Sequence, residues 1–137
     1  MKAVFLILMA IVVISPAFGQ SESDFRVSVD LSGNGVVIDK YLGTARIVVI
    51  PSTIQGYPVR EIGEEAFFLT RVRITSVTIP EGVTRIGRIA FAGCWDLTTI
   101  IFPSTLRYIG EGAFEYCRSL PLATQTQLRR LGYTGNF

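Results

Sequence analysis

The sequence predicts a β-rich solenoid of about three 23–24-residue coils, stacked as a short parallel ladder between an N-terminal β-hairpin and a short C-terminal helix. Three observations carry this expectation: an internal repeat in the middle of the chain, strand-like spacing of apolar residues within each unit, and capping patterns on either side. The expected boundaries are a signal peptide over residues 1–19, an N-terminal β cap over 20–44, the solenoid over 45–122 and a helical cap over 123–137.

Ala3 to Ile14 form an unbroken apolar run behind Met1-Lys2, followed by Ser15-Pro16 and then Ala17-Phe18-Gly19. A short basic start, an apolar core and a small-x-small cleavage site read as a secretory signal peptide. The run is shorter than the roughly 20 residues that a bilayer requires. Cleavage after Gly19 starts the mature chain at Gln20 and leaves no integral span, with an uncleaved anchor as the alternative. The residue directly after the cut is Gln20 and not cysteine, which argues against an acyl anchor. The run also contributes to the positive mean hydropathy of +0.43.

The 137 residues include 13 basic and 11 acidic side chains and no histidine. Removing Lys2 leaves 12 against 11, a net of +1. That near-neutrality argues against binding nucleic acid or anionic membrane by bulk electrostatics. The lack of histidine excludes Ser-His-Asp and Cys-His catalysis and every histidine-ligated metal. Two cysteines are too few for a thiolate zinc site, and no phosphate-cradling glycine loop is present. The expectation is a non-enzyme with no cofactor and no metal.

The middle of the chain repeats itself at a nearly fixed interval. Val83, Ile86, Gly87, Ala90, Phe91, Cys94 and Leu97 recur 23 residues later as Leu106, Ile109, Gly110, Ala113, Phe114, Cys117 and Leu120. Val59, Ile62, Gly63, Ala66 and Phe67 give the same frame one unit earlier. After one inserted residue, Ile74, Val77, Ile79 and Pro80 fall on Leu97, Ile100, Phe102 and Pro103. Ala45, Val48, Ile50 and Pro51 supply a further half-copy, and Ser52 to Pro58 an extra loop. Alternation at Ile100-x-Phe102 marks a short strand, which Pro103 stops by removing a ladder donor. The glycines allow a tight bend. Ala-Phe places a small residue and a large ring in one interior slot of every coil, so Phe67, Phe91 and Phe114 are expected to stack at the ladder spacing.

The flanks read as caps. Phe25, Val27, Val29 and Leu31 alternate with polar residues as a half-buried strand, Gly33-Asn34-Gly35 marks a turn, and Val36-Val37-Ile38 returns. Asp30-x-Ser32-x-Asn34-Gly35 also resembles the opening of a calcium loop, but Tyr41 stands where the closing carboxylate belongs. At the other end Thr124-x-x-Gln127 reads as a capping box. Leu128 and Leu131 share a face, and Gly132 ends the helix.

These motifs resemble the BspA-type leucine-rich repeat, found in bacterial surface proteins. The Leu97–Pro103, Val83–Cys94 and Leu106–Cys117 segments carry the likeness, and Ile50 to Val59 looks like that family's longer first unit. Thr70 departs from the cysteine column. The resemblance implies that the outward strand positions line a concave face where partners dock. Here those positions are Arg46, Ile47 and Val49; Thr75, Ser76 and Thr78; and Thr98, Thr99 and Ile101. It also implies an exported bacterial protein, periplasmic, surface-bound or released, that binds a host, matrix or envelope protein as a monomer or small homo-oligomer. The alternatives are a self-associating envelope protein and a carrier of a small apolar ligand in an imperfectly filled solenoid end. β-branched residues suit parallel ladders anyway, so the strand composition has a purely structural reading as well.

Other candidates have plain readings. Cys94 and Cys117 share a column. Export permits a disulfide, but parallel side chains in register favour two buried thiols that behave as small hydrophobes. Glu64, Glu65, Glu111 and Glu115 occupy variable columns that normally face water. Arg60, Arg85, Arg88 and Arg107 form a basic strip diluted by glutamates.

Overall fold

The computed structural model describes residues 20–137, so the signal peptide expected over residues 1–19 lies outside the described residues. In chain order the strands are β1 (Phe25–Val29), β2 (Val36–Tyr41), β3 (Ile47–Val49), β4 (Thr53–Ile54), β5 (Tyr57–Ile62), β6 (Ser76–Thr78), β7 (Arg85–Ile86), β8 (Thr99–Ile101) and β9 (Tyr108–Ile109). One helix follows, α1 (Leu122–Arg130). Each coil contributes one strand to each of two ladders. One ladder has the order β3-β6-β8; the other runs β1-β2-β5-β7-β9, with β4 paired to β5.

Register explains the repeat. Val48, Val77 and Ile100 lie side by side on the first ladder, and Ile38, Ile62 and Ile86 on the second. All six are buried and belong to one hydrophobic cluster that also holds the ring column. Phe67, Phe91 and Phe114 stack with centroids 4.8 and 5.3 Å apart and nearly parallel planes. Their backbones are laced at the same spacing: the Phe67 amide donates to the Ala90 carbonyl and the Phe91 amide to the Ala113 carbonyl, both at 2.8 Å.

The repeated glycines serve packing more than bending. A Cβ on Gly87 would lie 2.7 Å from the Gly63 carbonyl carbon, and one on Gly110 2.7 Å from that of Gly87. Neither glycine has a positive φ. Bare backbone therefore lets coil rest on coil at this column. The left-handed turns fall elsewhere, at Glu65, Ile89 and Gly112 (φ 57°, 58° and 63°), and again at Leu69, Gly93 and Tyr116 (φ 52°, 72° and 61°). Every coil thus bends twice at fixed columns, whatever residue occupies them.

The N-terminal hairpin is continuous with the ladder, because β2 pairs in parallel with β5. β1 ends at Val29, and the expected inward alternation fades along it: Phe25 is buried, Val27 half-buried, Val29 and Leu31 exposed. Tyr41 enters the ring column 5.4 Å from Phe67, and its amide donates to the Ala66 carbonyl. Phe25 packs on Tyr41 in turn. The extra loop is a second hairpin, in which Gln55 and Gly56 (φ 54° and 79°) make the two-residue turn joining β4 to β5. On the outer edge of β3, Gln20 donates its amide to Val49 and its side chain to Ile47, covering two strand carbonyls.

The helix starts earlier than the capping box predicts. Its N-cap is Pro121 with no side-chain cap, and Thr124 lies inside the helix. The fixed φ of Pro121 launches the turn directly after Leu120, leaving Thr124 no orphan amide to bond. The C-terminus behaves as expected. Gly132, at φ 92°, donates to the Arg129 carbonyl and Tyr133 to that of Leu128, the paired bonds of a Schellman end. Tyr133 then folds under Phe114 edge-on at 5.7 Å, and Phe137 packs on Tyr133.

Candidate functional site

The outward positions of β3, β6 and β8 form three rows. Arg46, Thr75 and Thr98 make the first, at the strand entrance. Ile47, Ser76 and Thr99 make the second, and Val49, Thr78 and Ile101 the third.

The first row is occupied by the fold itself. The Thr75 hydroxyl donates to the Arg46 carbonyl at 3.3 Å and the Thr98 hydroxyl to that of Thr75 at 3.2 Å. Arg46 donates to the Arg73 carbonyl and lies 3.5 Å from Asp96, which Arg73 also grips at 2.7 Å. These contacts tie neighbouring coils at the strand entrance.

The other two rows are free. Among the described residues, the hydroxyls of Ser76, Thr78 and Thr99 make no side-chain hydrogen bond, and Ile47 and Ile101 are 63% and 55% exposed at opposite corners of the patch. The result is an uncharged face of apolar groups and available hydroxyls on a backbone fixed by two parallel pairings. An arrangement of this kind can exclude water from a partner's apolar surface and supply donors and acceptors at defined spacing.

Four of the charged candidates, Glu64, Arg85, Arg88 and Arg107, are engaged by the fold, whereas Glu65, Glu111, Glu115 and Arg60 make no side-chain ion pair or hydrogen bond among the described residues. Glu64 accepts from Arg88 at 3.0 and 2.6 Å, and Glu61 lies 3.5 Å from Arg85, whose guanidinium also covers the Tyr108 ring. Arg107 donates to the Ser104 and Leu106 carbonyls. Glu81 spans to the next coil by accepting from the amide and hydroxyl of Ser104, which lower its pKa. Asp30 accepts from the amide and hydroxyl of Ser32 within its own turn, an Asx-type closure that uses the carboxylate locally. No group of three or more metal-ligating side chains is assembled among the described residues.

Cys94 and Cys117 are free, buried thiols. Each donates to the phenylalanine carbonyl of the preceding coil, Cys94 to Phe67 at 3.7 Å and Cys117 to Phe91 at 3.1 Å. Burial pushes the Cys94 thiol up to about 12 and raises Cys117 as well. They are interior donors, not nucleophiles.

Stacked parallel coils with an in-register interior and an outward strand face define a leucine-rich repeat module. The chain belongs to the BspA-type leucine-rich repeat family: the model of the BspA type leucine rich repeat region (6 copies) matches residues 48–133. Three solved structures are similar to it. The T. pallidum leucine-rich repeat protein is 36% identical with a TM-score of 0.70, covering 74% of this chain and 47% of its own. A leucine-rich cell surface protein from Faecalibacterium prausnitzii is 31% identical with a TM-score of 0.67, covering 74% of this chain and 29% of its own. A leucine-rich repeat protein from Bacteroides capillosus is 32% identical with a TM-score of 0.65, covering 75% of this chain and 78% of its own. The chain thus spans less than half of the first two relatives. No curated protein matches it.

Proposed function

We propose that the chain is an exported, non-enzymatic binding module that attaches to a protein partner, of the host, its matrix or the envelope, through the outward face of β3, β6 and β8. The observation that carries this reading is the second and third rows of that face: six uncharged side chains in register, whose hydroxyls are not engaged by the fold. A bacterial surface location is supported by the cell-surface description of the F. prausnitzii relative and by the signal-like residues 1–19. Binding in place of catalysis is supported by the Glu64–Arg88 ion pair, which occupies one carboxylate of the adjacent Glu64-Glu65 pair.

Thr78→Arg and Ile101→Arg each place a charge in the face without touching the core. Both variants are expected to keep the wild-type circular dichroism spectrum and to lose binding to immobilised matrix proteins in surface plasmon resonance. Undiminished affinity in either would move the site elsewhere.

Self-association is the second reading. β8 and β9 are the last strands of their ladders, with no strand paired beyond them among the described residues, and Ile101 lies exposed on β8. Light scattering distinguishes the two. A stable oligomer dispersed by Ile101→Arg favours self-association, whereas a monomer that binds matrix protein favours attachment.

A further inference from the structure

A second surface lies on the turn side of the coils, bordering the entrance row of the strand face at Arg73 and Asp96. Counting one residue past the stacked phenylalanines gives Phe68, Ala92 and Glu115; counting two gives Leu69, Gly93 and Tyr116. The middle coil holds the small member of each column, so a hollow opens between large side chains of its neighbours. The first coil's extra residue adds Val72 to one wall, and Trp95 stands on another. The hollow is a groove of about 580 Å³, within the roughly 300–1,000 Å³ of small-ligand sites.

Its lining is apolar, yet open to water. Leu69 is 80% exposed, Trp95 60% and Tyr116 52%. Leu69 and Tyr116 project from the same left-handed column, as does Gly93 between them. The Gly93 amide is fixed on the Glu115 carbonyl at 2.8 Å. This is a rigid recess, not an isolated exposed side chain.

Charge at the rim selects the occupant. Asp96 is the acidic residue in the lining, and Arg73 grips it through two nitrogens at 2.7 and 2.8 Å, with Arg46 at 3.5 Å. Arg118 lines the groove too and makes no ion pair or hydrogen bond among the described residues. The recess therefore offers apolar walls, one unmatched cation and no spare carboxylate. A sugar, which needs acceptors for its hydroxyls, is poorly served. An apolar body with an acidic head is matched at both ends.

We propose that the Trp95 groove binds a small amphiphilic carboxylate, its alkyl chain against Phe68, Leu69 and Trp95 and its head on the Arg118 guanidinium. Guanidinium and carboxylate make a forked, charge-assisted pair. The groove meets the strand face only at Arg46, in the row already occupied by the fold, and shares nothing with its two free rows, so neither reading stands or falls with the other.

Trp95 is the chain's single tryptophan, which makes its emission a direct reporter. Titration of the protein with decanoate below its micellar concentration is expected to shift that emission to the blue and to saturate. Decyltrimethylammonium, with the same chain and the opposite charge, is expected to bind at least roughly fivefold more weakly. Arg118→Gln should weaken decanoate about five- to tenfold, the loss of one charge-assisted contact, while Thr78→Arg leaves it unchanged. Ala92→Leu, which fills the hollow, should abolish the shift; because that variant could disturb the fold, exposed Arg118 and the paired probes decide independently. Equal response to both amphiphiles, or none to decanoate alongside a response to an apolar peptide, would overturn the proposal.

Discussion

The Tyr133 phenol oxygen lies 3.3 Å from the Phe114 amide, standing in for the backbone carbonyl that a further coil would present. In the coils above, Phe67 and Phe91 donate to Ala90 and Ala113. After the last ring the chain passes into α1, and a side chain from beyond that helix fills the acceptor position. The same oxygen donates to the Asn136 carbonyl at 3.0 Å, so the phenol is held on both sides. Tyr41 closes the opposite end in a related way, its hydroxyl bonding both the amide and the carbonyl of Ala45 at 3.1 Å.

Tyr133→Phe removes that acceptor and keeps the ring. The Phe114 amide is then buried without a partner, which costs about 1–3 kcal/mol. Tyr133→Ala also uncovers the Phe114 ring and should cost more. Urea midpoints ordered wild type, Tyr133→Phe, Tyr133→Ala confirm the assignment; a Phe variant as stable as wild type refutes it.

Phe91 is the middle ring, stacked on both faces and fully buried. Phe91→Ala should destabilise by about 3–5 kcal/mol, since rings above and below cannot close the void without breaking register. A denaturant midpoint near that of wild type would be inconsistent with a continuous column.

Those rings were legible in the sequence because Ala-Phe recurs at a fixed interval beside Ile-Gly. Tyr41 was not, for it follows Lys40 and not an alanine, and it stands three residues after Ile38, whereas Phe67 stands five after Ile62, the partner of Ile38. A segment shortened in this way breaks the fixed interval by which a repeat is recognised. The strand face was legible by alternation, but the use of Thr75 and Thr98 within the ladder was not, because it depends on which neighbouring carbonyl each hydroxyl reaches. The Trp95 groove was hidden for a third reason. It arises at variable columns, where Ala92 and Gly93 differ from their counterparts, and a repeat search reads conserved columns only.

Gly87 and Ile89 test the two local rules of the coil in opposite directions. Gly87→Ala puts a Cβ against backbone that cannot yield and should cost at least about 1–3 kcal/mol. Ile89 is a β-branched residue held at φ 58°, where Gly112 stands in the next coil. Ile89→Gly and Ile89→Ala both lose the half-buried side chain, but only glycine relieves about 1 kcal/mol of left-handed backbone strain, so the glycine variant should have the higher thermal midpoint of the two. A rise for Gly87→Ala, or an Ile89→Ala variant more stable than Ile89→Gly, would reverse the roles assigned to these columns.

The buried thiols set the alkaline limit. A thiol in an unfolded chain ionises near pH 8.5, whereas burial pushes Cys94 up to about 12 and raises Cys117 too. The folded state keeps both protons after the unfolded chain has released them. Stability is therefore full below the unfolded pKa and falls as pH rises from about 8.5 toward 12. Tyr41 and Tyr133 are also raised by burial, but an unfolded tyrosine ionises only near pH 10, so the interval from about 8.5 to 10 reports chiefly on the cysteines. Urea midpoints across that interval should decline for the wild type. For Cys94→Ala/Cys117→Ala they should start lower, because two packed sulfurs are gone, but decline far less. Iodoacetamide at pH 8 should leave both thiols of the native protein unmodified and label both in denaturant. Parallel pH slopes for wild type and double variant, or rapid native labelling, would place the thiols in contact with water.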